Sequence, residues 1–241
     1  MGRRGSAALP IIGCPKIYFG NQFDSPCHNN PVLQYDQHLS SQFQPSDRKR
    51  FEAALRRFDE ENSRDPNFET VNGERRPREL VHAQWLTEWV LKLAPNASEE
   101  LRLAARCQHL CRWKIPRDCY PMTRAGYLKW REDLKHFHAE RAGEILREVG
   151  YPDSAVARVQ ELNLKKNFPN DAEGRVLEDG LCLVFLERQL ADLAAKTEDD
   201  KVITALQKSW RKMTTAAHTE ALRLSYGARE KELIERALKG A

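Results

Sequence analysis

The stretch Ala104-Ala105-Arg106-Cys107-Gln108-His109-Leu110-Cys111-Arg112-Trp113-Lys114-Ile115-Pro116-Arg117 decides how this chain reads. At helical spacing Leu101, Ala104, Ala105, Gln108 and His109 share one face, so an imidazole ends an apolar stripe that should turn inward. A lone histidine there reads first as a hydrogen-bonded core residue, because neutral imidazole packs well and is also a common metal ligand. Pro116 is expected to close this helix. What changes the reading is that three other predicted helices carry the same feature.

Moving outward, Ser46 reads as an N-cap and Phe51, Ala54, Leu55 and Phe58 repeat at three and four, predicting a helix that stops near Asn62. Asp65-Pro66-Asn67 and Val71-Asn72-Gly73 are turn chemistry, the second suited to a tight reversal. A helix follows from Pro77 to about Ala94 with His82, Leu86, Trp89 and Leu93 in line, and Ser98 caps the central one. Thr123 to Gly150 bounds the longest helix, whose stripe of Trp130, Leu134, His138, Ala142 and Ile145 turns His138 inward and His136 outward. A shorter helix follows Asp153. The most apolar one then aligns Val176, Asp179, Leu183, Leu186, Leu190 and Leu193, placing a carboxylate inside an apolar series. A further helix starts at Asp199 and a last amphipathic segment surrounds Leu233 to Leu238, with no strand pattern of useful length. The expected organisation is an irregular N-terminal extension over 1–45 and an all-α domain over 46–241.

Charge and cysteine content narrow the classes. The 241 residues carry 39 Lys and Arg against 35 Asp and Glu, a net charge of +4 spread through the chain, which by itself does not argue for nucleic acid and leaves a local basic groove open. Six cysteines without framework spacing point to a reducing compartment, so a cytoplasmic location is expected, the Arg-rich, acid-poor opening being a weak organelle address as the alternative. No apolar run approaches the ~18 residues of a membrane span. Oligomeric state has no signature here.

His82, His109, His138 and Asp179 thus each project from an apolar stripe on a different helix. A buried unpaired carboxylate is costly, and imidazoles with a carboxylate suit a divalent transition metal, Zn, Fe or Mn, so one shared metal site is expected, with four independent core hydrogen bonds as the alternative. Arg112, Arg117, Arg124 and Arg131 lie beside these residues and their planar forks match phosphate, while Trp113 and Tyr127 offer walls for a flat ring. A rival zinc site would use Cys107, Cys111 and Cys119 with His109.

The order of these residues resembles the HD-domain superfamily of all-helical, metal-dependent phosphohydrolases: His82 in Leu80-Val81-His82-Ala83, a doublet at His109-Leu110, His138 opening His138-Ala139-Glu140-Arg141-Ala142, and a distant Asp179. That resemblance implies an HD-like helical bundle acting on a nucleotide or other phosphorylated small molecule. The doublet lacks its acidic member, which Glu178 or Glu140 would replace as general base. A non-catalytic HD-like module that binds a nucleotide, RNA or protein partner is the alternative. At closer range the chain resembles the uncharacterised domain-of-unknown-function family four-two-zero-two, through Asn62 with Asp65-Pro66, Glu79-Leu80, Gln108-His109-Leu110, Arg112-Trp113, Tyr120-Pro121-Met122, Phe137-His138-Ala139-Glu140-Arg141-Ala142 and Leu177-Glu178-Asp179. Some of its members carry a glutamyl-tRNA synthetase label. No ATP-holding motif of a synthetase accompanies Lys212-Met213-Thr214 here.

Overall fold

A computed structural model describes residues 43–239. Nearly all of the expected extension over 1–45 lies outside the described residues. Helix α1, Arg48–Asn62, is capped by Asp47 rather than Ser46, since the Asp47 carboxylate accepts from the Arg50 N–H at 3.0 Å. Its periodic residues Phe51, Ala54, Leu55 and Phe58 are buried as expected.

A hairpin follows that periodicity missed. Strands β1, Phe68–Val71, and β2, Glu74–Pro77, pair antiparallel with Val71 opposite Glu74, across Asn72 and Gly73 at φ 52° and 83°. Two adjacent positive φ values are the reversal that an Asn-Gly pair favours. The strands are four residues each, too short for an alternation to announce them.

Helix α2 spans Arg78–Leu93 and α3 spans Glu99–Cys107, the latter capped by the Ser98 hydroxyl accepting from Leu101 N–H at 3.0 Å. The expected continuation of α3 to Pro116 does not occur. The chain leaves the helix after Cys107, passes Cys111 in the left-handed region at φ 56°, and makes two 3-10 turns over Arg112–Lys114 and Arg117–Cys119. Asn62, fully buried, explains the departure: its Oδ1 accepts from Cys111 N–H at 3.0 Å, offering that backbone a partner the helix would have supplied.

Helix α4, Arg124–Glu148, has the expected Thr123 cap and closes at Gly150, φ 89°. Helix α5 is Asp153–Leu164 and α6 is Ala172–Val184. The expected single apolar helix is interrupted by a π turn, Phe185–Gln189, before α7, Leu190–Lys196. Helices α8, Asp199–Trp210, α9, Thr215–Arg223, and α10, Ala228–Lys239, complete the described chain. The architecture is all-α apart from the hairpin.

Packing puts the stretch around residue 104 at the centre. Every residue from Leu101 to Gln108 is buried, with α3 packed against α1, α2 and α5, while α4 lies along α5 and α2 along α6. Burial all round forces the polar members to find partners, and Arg106 forms a two-pronged bond to Asp59 at 2.6 and 2.7 Å. Among the described residues no helix is long and apolar enough to cross a membrane.

Candidate functional site

Where α3 unwinds, its last residues meet α4, the end of α5, α6 and the segment after α8 around a cleft of about 400 Å³. That is the size range of small-molecule sites. A second, apolar cavity between α8 and α10 is about 20 Å³, room for little more than a water.

His138 forms part of the cleft lining. Its Nδ1 lies 2.7 Å from the Leu110 carbonyl oxygen, and since a carbonyl only accepts, the proton sits on Nδ1 and Nε2 keeps its lone pair. Nε2 is buried with no hydrogen-bond partner among the described residues. Burial lowers the pKa of this ring to about 4, the Leu110 bond opposing and the Arg112 charge adding to the fall, so the imidazole is neutral. Among the described residues Gln108 Oε1 is a second buried acceptor without a partner, also in the lining.

His109 is the more open ring, one-third exposed, its centroid 5.9 Å from that of His138. Burial and the charge of Arg112 hold it well below the usual histidine range, with His138, His82 and Lys165 contributing less. Behind it stands Glu79, one of the residues that carry the family resemblance, to which the sequence assigns no role at the site. Its Oε2 is 3.9 Å from His109 Nδ1 and its Oε1 3.8 Å from Arg112 Nε, and among the described residues Oε2 has no hydrogen-bond partner. Burial raises the Glu79 carboxyl to about 7, against the opposing charges of Arg112 and Arg78. Two buried polar residues hold its backbone: Asp65 Oδ2 accepts from Glu79 N–H at 3.0 Å and Asn62 donates to its carbonyl at 3.4 Å.

Charge lines the rest. Arg112, Arg131, Lys135, Lys165 and Lys212 face the cleft together with one carboxylate, Glu178. Lys165, set at the end of α5 by a left-handed backbone at φ 57°, reaches Glu178 Oε2, and Lys212 reaches Oε1 at 2.9 Å. Burial works to raise the Glu178 pKa, but the two ammonium groups outweigh it and hold the carboxylate ionised. Tyr127, Trp130 and Phe185 supply aromatic wall, Trp130 being fixed by donating to the Ile115 carbonyl at 2.9 Å and lying 5.0 Å from the Arg112 guanidinium.

Of the expected metal ligands, the structure brings together His109 and His138 and sends the other two elsewhere. His82 packs on Trp85 at 5.2 Å and faces Glu69 at 3.8 Å, outside the cleft lining. Asp179 spends both oxygens on Thr214, accepting from its N–H at 2.8 Å and its hydroxyl at 2.6 Å, so it ties α6 to the start of α9. Among the described residues no three His, Cys, Asp or Glu side chains are grouped to hold an ion, and this quartet does not fit one. The rival thiol site fails on the same ground. Cys107 is bonded by Asn163, Cys111 donates to Glu61 at 3.3 Å, and burial pushes both thiols up to about 12.

The remaining candidates divide. Arg112 and Arg131 line the cleft, whereas Arg117 is taken up by the carbonyls of Tyr120, Pro121 and Thr123, and Arg124 is exposed outside it. Trp113 packs against the core, and the wall is built by Trp130 instead. Glu178 lies in the cleft, but with its pKa lowered instead of raised it is a poor general base; Glu140 is exposed on another face of α4. Lys165, Lys212 and Lys135 were missed because a lysine at a helix end or on an outer face carries no sign of what it meets.

Fold and site together define an all-α protein with a basic, aromatic-walled cleft floored by two neutral histidines. The chain belongs to the family described as Domain of unknown function (DUF4202), which it matches over residues 52–234, a span containing every residue of the cleft. No curated protein and no solved structure matches it.

Proposed function

We propose that this protein binds a phosphorylated small molecule carrying a flat ring, a nucleotide being the chemistry that fits, and that it hydrolyses the phosphate ester. The observation that carries the reading is the lining itself: five cationic side chains against one carboxylate, beside Tyr127, Trp130 and Phe185. Ammonium and guanidinium groups recognise phosphate, and aromatic faces hold a planar ring. In the lining, His138 Nε2 and Gln108 Oε1 are buried acceptors without a partner among the described residues, and they call for ligand donors such as a sugar hydroxyl or a base amine.

Calorimetric titration with nucleoside mono-, di- and triphosphates at low salt, with phosphate release followed in parallel, tests it. Binding should weaken about tenfold in Lys212→Gln and in Arg112→Gln, roughly the contribution of one charge-assisted hydrogen bond. A nucleotide affinity that neither substitution changes would end this reading.

A further inference from the structure

Neither buried carboxylate nor open histidine at the back of this cleft is consumed by binding alone. A phosphoryl group held by Arg112, Lys165 and Lys212 would share the cleft with a ring that is neutral, one-third exposed, and has Nδ1 3.9 Å from the Glu79 carboxyl, so that the other ring nitrogen, Nε2, is the one left to attack. His138 is the less suitable of the two rings, because no carboxylate stands behind it: its Nδ1 is taken by the Leu110 carbonyl, which cannot offset the positive charge an attacking ring gains.

We propose that His109 is the phosphoryl acceptor of this cleft, forming a covalent phosphohistidine with the ester's phosphate, and that Glu79 is the residue that positions its ring. The inference rests on the phosphate-ester reading above. The pairing of an attacking ring with a carboxylate behind it follows the general logic of an oriented nucleophile. In the first step the Nε2 lone pair forms a bond to phosphorus and the bond from phosphorus to the ester oxygen breaks. The leaving oxygen takes a proton from solvent through the open side of the cleft. The ring, protonated at Nδ1, becomes cationic, and Glu79, whose buried carboxyl lies at about 7, offsets that charge in its ionised form. In the second step water attacks phosphorus, the phosphorus–nitrogen bond breaks with its electron pair returning to Nε2, and dihydrogen phosphate leaves with both protons of the water. No oxidant, reductant or further reactant is required.

Joint support from Asn62 and Asp65 makes the placement of Glu79 a built feature. Both side chains are nearly or fully buried, and between them they hold the N–H and the carbonyl of the same residue. Asn62 also fixes the turn that carries His109 through Cys111 N–H. One side chain therefore registers the carboxylate and the ring against each other.

The test uses the full chain with p-nitrophenyl phosphate, a flat ring bearing a phosphate, and inorganic phosphate as a binding-only probe. Expected are a nitrophenolate burst of one per chain and a phosphoryl group on the protein that is acid-labile and alkali-stable, mapped to the peptide containing His109. His109→Asn and His109→Gln should abolish both. Glu79→Gln should keep the fold and bind inorganic phosphate at least as tightly as the parent, since Arg112 loses a carboxylate 3.8 Å away, yet acquire label at least ~100-fold more slowly, with Glu79→Asp recovering part of the rate. A loss confined to labelling rate, with phosphate affinity not reduced, is not what a merely structural Glu79 would give. Turnover without label, or label that survives both His109 substitutions, overturns this inference and leaves the phosphate-ester reading standing. Failure of inorganic phosphate and p-nitrophenyl phosphate to bind at all overturns both.

Discussion

The two ring nitrogens of His138 have separate tasks, and a substitution can separate them. Nδ1 satisfies the Leu110 carbonyl inside the core, while Nε2 offers a lone pair to the cleft. Asparagine can place its amide N–H near Nδ1 and has no atom at Nε2. His138→Asn should therefore stay within about 1 kcal/mol of the parent in stability, while nucleoside phosphate affinity drops about tenfold and inorganic phosphate affinity does not move. His138→Ala, which orphans the buried carbonyl, should cost about 1–3 kcal/mol in denaturant melts. Equal losses for both phosphate ligands in the Asn variant would refute the assignment of Nε2 to a ligand donor. Helical spacing was a sound guide to which side chains turn inward, as His138 and Asp179 show, both 2 % exposed. It carried no information about meeting partners. Asp179 is satisfied by Thr214 and His82 by the hairpin and Trp85, contacts set by tertiary packing across distant segments. Glu79 carries part of the family resemblance yet drew no site role, because an acid in a first helical turn already has an adequate explanation in the helix dipole.

Helix ends, more than helix bodies, build the cleft. Several element boundaries fell where proline, glycine and hydroxyl caps indicated; the end of α3 did not, because a side chain from another element, Asn62, intervenes there. Helix α6, which brings Glu178 to the cleft and Asp179 to α9, depends on such an end. Asp171 caps it by accepting from the N–H groups of Glu173 and Gly174 at 3.0 and 3.1 Å and binds Arg158 from α5. The Arg158 hydrogen bond is the largest influence on this carboxyl and, against the opposing effect of burial, it helps bring the pKa down to about 2 from an ordinary 3.8. A folded-state value below the unfolded one means stability that is present in full above about pH 4 and is lost as the pH falls towards 2. The amount is about 2 kcal/mol. Asp171→Asn should lower stability at neutral pH and flatten the acid limb of the stability profile, measured by urea melts across that range. An acid limb as steep in the variant as in the parent would show that the cap carries no such linkage.

Charge that is diffuse along the sequence becomes local in the fold. The net charge of +4 gives no hint that five cations from α4, the end of α5, the turn after α3 and the segment after α8 gather on one cleft. Such gathering has an electrostatic cost in the absence of ligand, since like charges a few ångströms apart repel strongly where water is partly excluded. Glu178 relieves part of it. Only 4 % exposed and gripped by Lys165 and Lys212, it joins α6 to two other segments through charge alone. Replacing it with glutamine leaves the two ammonium groups facing each other without a counter-charge. Because both lysines are partly exposed, solvent screens the loss, and Glu178→Gln should cost about 2 kcal/mol rather than the full value of a broken buried pair. An anion in the cleft supplies what the carboxylate did. Inorganic phosphate should therefore bind the variant more tightly than the parent and raise its melting temperature further at equal concentration, since ligand stabilisation grows with the ratio of concentration to dissociation constant. Added sodium chloride should narrow the gap between the two proteins by screening the exposed lysines. If phosphate stabilises Glu178→Gln no more than the parent, the cations of this cleft do not act on phosphate together, and the ligand must be sought in a different chemistry.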